Sequence, residues 1–181
     1  IGGILWFGND DGNMVAYVPI YCSNTERAEC FNTPGADAVT FSDKNAFWVC
    51  NWVSNMVYPR YSQLFPALKE VRDSLDNAFL AAQKGVEAKA ESLYATDKAA
   101  AVKYLNDYSI QKSNEMIARW RQLAIHLIVK FNDMAVKPEK DGKFLRTSTG
   151  LGEHVKRPGY SDYFKRELVK QTGDKFAVPN K

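Results

Sequence analysis

The chain has little of what most self-sufficient active sites are built from. It holds two histidines and three cysteines in 181 residues. Cys22, Cys30 and Cys50 form no Cys-x-x-Cys pair, which excludes the common zinc and redox motifs and a dense disulfide framework. His126 falls on a helical pattern, and His154 lies in a loop without a partner at metal spacing. No order of Ser, His and Asp residues assembles a catalytic triad. Gly2, Gly3 and Gly8 match no phosphate-binding loop. No apolar stretch is long enough to cross a bilayer, and neither a signal peptide nor an internal repeat is visible. Ile1 is not an initiator residue, and the chain opens inside an apolar segment. An upstream part, removed or cut away, is therefore expected.

What is present is an ordinary globular balance: 45% hydrophobic, 13% aromatic and 25% charged residues. Disorder of the whole chain is excluded. The net charge of +3 is uneven: residues 1–136 hold 13 Lys/Arg against 15 Asp/Glu, and residues 137–181 hold 11 against 6. The basic residues of the tail are scattered, which fits a solvated end better than a nucleic-acid or membrane surface.

Two apolar runs, Ile4–Phe7 and Met14–Tyr21, flank the turn signal Asn9-Asp10-Asp11-Gly12-Asn13. They predict an antiparallel hairpin, with Pro19 at an edge or a strand end. Thr33-Pro34-Gly35 marks a turn in the irregular connection that follows. Ser42 or Asp43 can cap a helix from Lys44 to about Tyr58, apolar on most sides and stopped or kinked by Pro59. Leu64, Leu68, Val71, Leu75, Ala78 and Ala82 form the seam of a long helix; Ile110, Ile117, Trp120, Ala124, Leu127, Phe131 and Met134 form that of a second. Residues 86–108 continue this helical body or form its outer hairpin, with a cap at Thr96 or Asp97. Beyond Ala135 loop signals dominate, and Ser161 caps a short helix over Asp162–Gln171.

Few residues here suggest chemistry. Paired carboxylates at Asp10 and Asp11 can bind a cation or exchange protons, but a hairpin turn explains them as well. Cys50, on a nearly all-apolar helix, fits an inert buried thiol rather than a nucleophile. Cys22 and Cys30 can close a small loop in an oxidising compartment.

The first third of the chain carries an ordered set of motifs. Gly2-Gly3-Ile4-Leu5-Trp6-Phe7-Gly8-Asn9-Asp10-Asp11 is followed by Tyr17-Val18-Pro19-Ile20-Tyr21. Then come Phe41-Ser42, Asn45-Ala46-Phe47-Trp48-Val49-Cys50-Asn51, Val53-Ser54-Asn55, and Tyr58 to Tyr61. In order and spacing this resembles the late part of the dipeptidase family of N-terminal-nucleophile cysteine hydrolases, relatives of secernins and choloylglycine hydrolases. The helical body and Pro158-Gly159-Tyr160 fit it more loosely.

The resemblance implies an α+β chain: the C-terminal part of an αββα sandwich, mostly helical with a β-hairpin head. Residues 1–61 would end the catalytic sandwich, 62–136 form a helical layer, and 137–181 a basic, loop-rich tail with a short helix. It also implies cysteine-dependent hydrolysis of dipeptide amide bonds, in which a free α-amino group serves the thiol as base. Position 1 is Ile, so no catalytic residue carries over. The nucleophile is expected in an N-terminal portion of the same enzyme, and this chain alone is expected to be inactive. Trp6, Asn9, Asp10 and Tyr21 are the candidates for lining the far side of a substrate pocket. No metal or cofactor is implied. The expected partners are that N-terminal portion, a dipeptide and a second copy of the chain, with neither nucleic acid nor membrane. Secretion or a periplasmic site is favoured over the cytoplasm. The rival expectations are a noncatalytic helical interaction module and a metal-binding domain built on Asn9, Asp10 and Asp11.

Overall fold

A computed structural model describes residues 2–32, 37 and 39–178. The Thr33-Pro34-Gly35 turn lies outside the described residues. The chain divides into two compact units, residues 1–127 and 128–181.

The first unit begins with an antiparallel pair, β1 (Ile4–Phe7) and β2 (Val18–Tyr21). The second strand is shorter than the apolar run predicts. Met14, Val15 and Ala16 are buried without being strand, because the loop before β2 is held by side-chain bonds instead of ladder bonds. The register pairs Ile4 with Tyr21 and Trp6 with Pro19. Cys22 N–H donates to the Gly3 carbonyl, so alternate pairs from there are hydrogen-bonded and Trp6–Pro19 is not. The missing N–H of Pro19 therefore faces away from β1. Pro19 spoils the outer edge of β2 for further pairing, whereas β1 keeps its outward N–H and C=O groups.

Helix α1 spans Ala46–Val57. Its cap is Asn45, not Ser42 or Asp43: Asn45 Oδ1 accepts from Phe47 N at 2.9 Å while its amide donates to the Asn32 carbonyl. Ser42 instead accepts from Lys44 N, one turn too early to start the helix. Tyr58–Arg60 forms a 3₁₀ turn around Pro59, which separates α1 from α2 (Tyr61–Tyr94). Helix α3 covers Lys98–Phe131. Each of these two helices has 34 residues, about 50 Å of rise. Residues 95–97 join them into a hairpin, and Asp97 Oδ1 accepts from Ala100 N at 3.0 Å as the cap of α3.

The seam of α2 differs from the expected one. Its buried residues are Leu64, Leu68, Leu75, Phe79, Val86 and Ala90; Val71 and Ala82 are half-buried and Ala78 is exposed. Leu64, Leu75 and Val86 recur every eleven residues, as do Leu68, Phe79 and Ala90. Eleven residues make close to three α-helical turns, so a nearly straight helix keeps these positions on one side over its full length; a heptad would drift. Leu105, Met116 and Leu127 repeat the spacing on α3, all buried. Of the α3 seam, Ile117, Trp120, Ala124, Leu127 and Phe131 are buried, Ile110 is half-buried, and Met134 lies beyond the helix and exposed. Tyr21 from the hairpin packs with Val86 and Ala90 of α2 and Leu105 and Tyr108 of α3. The hairpin thus rests one face on the helices.

In the second unit, β3 (Glu139–Lys140) and β4 (Lys143–Phe144) pair across Asp141-Gly142. Both turn residues have positive φ, 52° and 72°, as the tightest hairpin turn requires. Helix α4 (Asp162–Thr172) is capped by Ser161, whose Oγ accepts from Phe164 N, as its sequence predicts.

Phe79→Ala is expected to cost about 3–5 kcal/mol, because it empties a buried position of the eleven-residue repeat. Ala78→Ser should stay within about 0.5 kcal/mol. Urea unfolding of the two variants followed by circular dichroism checks the shifted seam.

Candidate functional site

The polar turn between the strands is the densest joint in the molecule. Asp10 has a φ of 79°, a left-handed conformation that Asp tolerates better than most residues. It points the carboxylate back at α1. Oδ1 accepts from Asn51 Nδ2 at 3.0 Å, and Oδ2 accepts from the Ser54 hydroxyl at 2.5 Å. Asp11 Oδ1 accepts from Asn13 N at 2.8 Å, and its Oδ2 accepts from the Tyr58 hydroxyl. The Tyr58 hydrogen bond, then that of Asn13 N, lowers the Asp11 pKa below the usual carboxylate value. Asn51 and Ser54 of α1 and Tyr58 of the 3₁₀ turn that follows it stand at spacings of three and four residues. All four carboxylate oxygens of the turn thus accept protein donors, which makes it a structural joint rather than a ready cation site.

The same loop is fastened to α2. Asn13 donates to the Tyr61 hydroxyl and receives Arg72 on its carbonyl at 2.6 Å. Tyr17 N donates to Asp76 Oδ1 at 2.9 Å, and the Tyr17 hydroxyl donates to the Gly12 carbonyl. A Cβ on Gly8 would meet the Val15 side chain at 2.8 Å and the Tyr17 ring at 3.0 Å. Burial raises the Asp76 pKa, against the lowering effects of Tyr17 N and Arg72.

The four candidate pocket residues do not converge. Trp6 lines a cleft of about 200 Å³ with Tyr17, Asp76 and Leu80. Asn9 lines one of about 260 Å³ with Phe7, Cys30, Phe31 and Phe47. Tyr21 lines a crevice of about 120 Å³ with Glu87, Ala90 and Glu91. Asp10 is committed to α1. Trp6 and Tyr21 share a face of the hairpin, yet their clefts meet α2 eleven residues apart, roughly 16 Å along the helix. Sequence reasoning missed Tyr17 and Asp76. Their bond spans 59 positions, and no local spacing announces it.

None of the three cysteines stands in a nucleophile's surroundings. All are free thiols, so the loop from Cys22 to Cys30 is not closed by a disulfide. Cys22 is exposed beside Gly3, and Cys30 is buried in the 3₁₀ turn Glu29–Phe31. Burial pushes the Cys30 thiol up to about 11. Cys50 is buried in α1, and desolvation raises its pKa strongly. A thiol held neutral in this way is a poor nucleophile. His126 is half-buried on α3; His154 is exposed beside Glu153 at 3.7 Å.

Strands, polar turn, α1 and the first turns of α2 together form one connected segment, and it has relatives. The class is that of peptidases: residues 1–74 match the profile of Peptidase family C69. Over that stretch the chain is similar to this family. The match takes in both strands, the Asp10–Asp11 turn, all of α1, and α2 as far as Arg72, whose guanidinium holds the turn. No curated protein matches the chain significantly.

Asp10→Ala removes the acceptor of the Asn51 amide and leaves the buried Ser54 hydroxyl only the Asn51 carbonyl, at 3.1 Å. It is expected to destabilise the chain by about 1–3 kcal/mol in urea unfolding. Asp76 carries a pH signature of opposite origin. Its folded pKa lies above the unfolded value of 3.8, so the folded state binds the proton more tightly. Its contribution therefore favours folding at low pH and is lost as pH rises through the raised folded value. Asp76→Asn keeps an oxygen for Tyr17 N. It should be at least as stable as the parent near neutral pH and lose that segment of the pH profile; unfolding midpoints measured across the acid range check both.

Proposed function

We propose that this chain is the C-terminal portion of a dipeptidase-like cysteine hydrolase of the N-terminal-nucleophile type, with the nucleophilic cysteine on polypeptide upstream of Ile1. The observation that carries this reading is the unfinished state of the hairpin within a peptidase-family segment. One face of the hairpin packs on α2 and α3 through Ile4 and Tyr21. The opposite face carries Leu5, Phe7, Val18 and Ile20. It is apolar throughout; Val18 is buried and Phe7 packs edge-on against Phe31, whereas Leu5 is 55% exposed. Among the described residues the sheet has two strands. A sheet apolar on both faces with a pairing-competent edge at β1 suits one layer of an αββα sandwich. In that arrangement α2 and α3 are the outer helices, a second sheet covers Leu5 and Ile20, and further strands extend from β1. The buried thiols of Cys30 and Cys50 agree with a nucleophile placed elsewhere.

Within this reading the hydrolysed bond is a dipeptide amide, and Trp6 with Tyr17 supplies an apolar wall on the far side of the substrate. Export from the cell and self-association belong to the same proposal. A second reading, a noncatalytic helical interaction module, draws on the fastening of the head to α1, α2 and α3 by Asp10, Asp76 and Asn106.

The 181-residue chain is expected to show no thiol-dependent turnover of dipeptides. Turnover by this chain alone, abolished by a thiol-alkylating reagent, would place the nucleophile inside it and refute the proposal. The coding sequence upstream of Ile1 should contain a cysteine behind a short leader. Fusing that segment to this chain should give dipeptidase activity, and Leu5→Asp should remove it while the helical content stays unchanged.

A further inference from the structure

We propose that the crevice between the end of β2 and the later turns of α2 binds a primary ammonium group. Its wall is formed by Glu87 and Glu91, one helical turn apart on α2. Ala90 and Leu105, 1% and 0% exposed, form an apolar floor. Gly2 and Tyr21 close the remaining side. Tyr21 is 3% exposed, yet its hydroxyl has no hydrogen-bond partner among the described residues. Buried polar groups of this kind are nearly always satisfied, by protein, water or ligand. Tyr21 lines a crevice whose other polar side chains are two carboxylates, so the missing partner is one that carries donors and positive charge.

The chemistry narrows the choice. Burial, and next the neighbouring Glu87, push the Tyr21 pKa up to about 12, so the phenol stays protonated and offers its oxygen lone pairs. Glu87 Oε1 accepts from Gln83 Nε2 at 2.8 Å, which steadies the carboxylate and leaves Oε2 for a ligand. Two carboxylate oxygens and a phenol oxygen are three acceptors, matching the three N–H donors of a primary ammonium. A calcium ion asks for six to eight oxygens, and among the described residues no group of three His, Cys, Asp or Glu is placed to hold a metal. A quaternary ammonium has no N–H to give. The crevice, about 120 Å³, takes roughly four water-sized groups, room for the tip of an amine and little more. The crevice takes Gly2 and Tyr21 from the stretch that matches the peptidase family and Glu87, Ala90, Glu91 and Leu105 from beyond it, and its ammonium chemistry does not rest on the peptidase reading.

The test is a titration of the ¹⁵N-labelled 181-residue chain with methylammonium chloride at constant ionic strength. Tetramethylammonium and calcium chlorides serve as counter-probes. Saturable shifts confined to the amides of Gly2, Tyr21 and residues 87–91 are expected with methylammonium alone. Glu87→Gln combined with Glu91→Gln, the first half-buried and the second exposed, should keep the dispersed spectrum and weaken binding at least tenfold; Tyr21→Phe should weaken it severalfold. Glycinamide and Nα-acetyl-lysine amide then separate an α-ammonium from an ε-ammonium source, and the tighter binder names it. Unsaturable shifts, an equal response to tetramethylammonium, or unchanged affinity in the Gln variants would show a crevice that holds solvent only. Saturation by calcium and not by methylammonium would overturn the assignment as well.

Discussion

The fold of the first unit depends on a pair of carboxylates in a strand-to-strand turn. Two short strands are marginal by themselves in water. Asp10 and Asp11 convert them into a fixed element by accepting from Asn51 and Ser54 on α1 and from Tyr58 in the 3₁₀ turn after it. Arg72 and Asp76 of α2 complete the fastening from the other side. Because these bonds are made by a left-handed Asp10 and by Tyr17 packed against Gly8, the loop has one conformation in which the donors and acceptors all meet. That conformation sets the register of β1 on β2, and through it which hairpin face lies on the helices.

The helical hairpin supplies the surface on which this joint is made. Its eleven-residue spacing keeps one line of α2 buried from Leu64 to Ala90, so the hairpin head and the tip of α3 share a single straight support. The same spacing separates the Trp6 cleft from the Tyr21 crevice. One helix face thus presents two small sites with different chemistry, an apolar cleft with a half-buried carboxylate and an acidic crevice with a buried phenol. The peptidase-family segment ends at residue 74, ahead of Asp76 and of both acidic residues in the crevice.

Much of the site's vocabulary was legible in the residues, and little of its grammar. Asn9-Asp10-Asp11 reads as a turn because short polar side chains satisfy local backbone, and it is a turn. What its carboxylates do was not legible, since apart from Asn13 N their partners stand more than forty positions away, on α1 and in the turn after it. The cap of α1 went to Asn45 rather than Ser42 or Asp43 for a related reason: Asn45 also reaches the Asn32 carbonyl, a contact no local pattern announces. Trp6, Asn9 and Tyr21 line three different clefts, and Asp10 is committed to α1. Trp6 and Tyr21 share a hairpin face but meet α2 eleven residues apart.

By itself the sequence determined the kinds of element and their order: a hairpin head, a buried aromatic helix, two long helices, a loop-rich tail with a Ser161-capped helix. These follow from periodicity, caps and turn residues, which act within a few positions along the chain. It also determined that none of the three cysteines has a nucleophile's sequence context. Only the tertiary structure decided where β2 begins, that Phe79 rather than Ala78 is core, that β1 is the edge left open, and that Tyr21 meets Glu87 and Glu91. Each of these is a contact between distant segments, and its free energy exists only once both surfaces have been removed from water together.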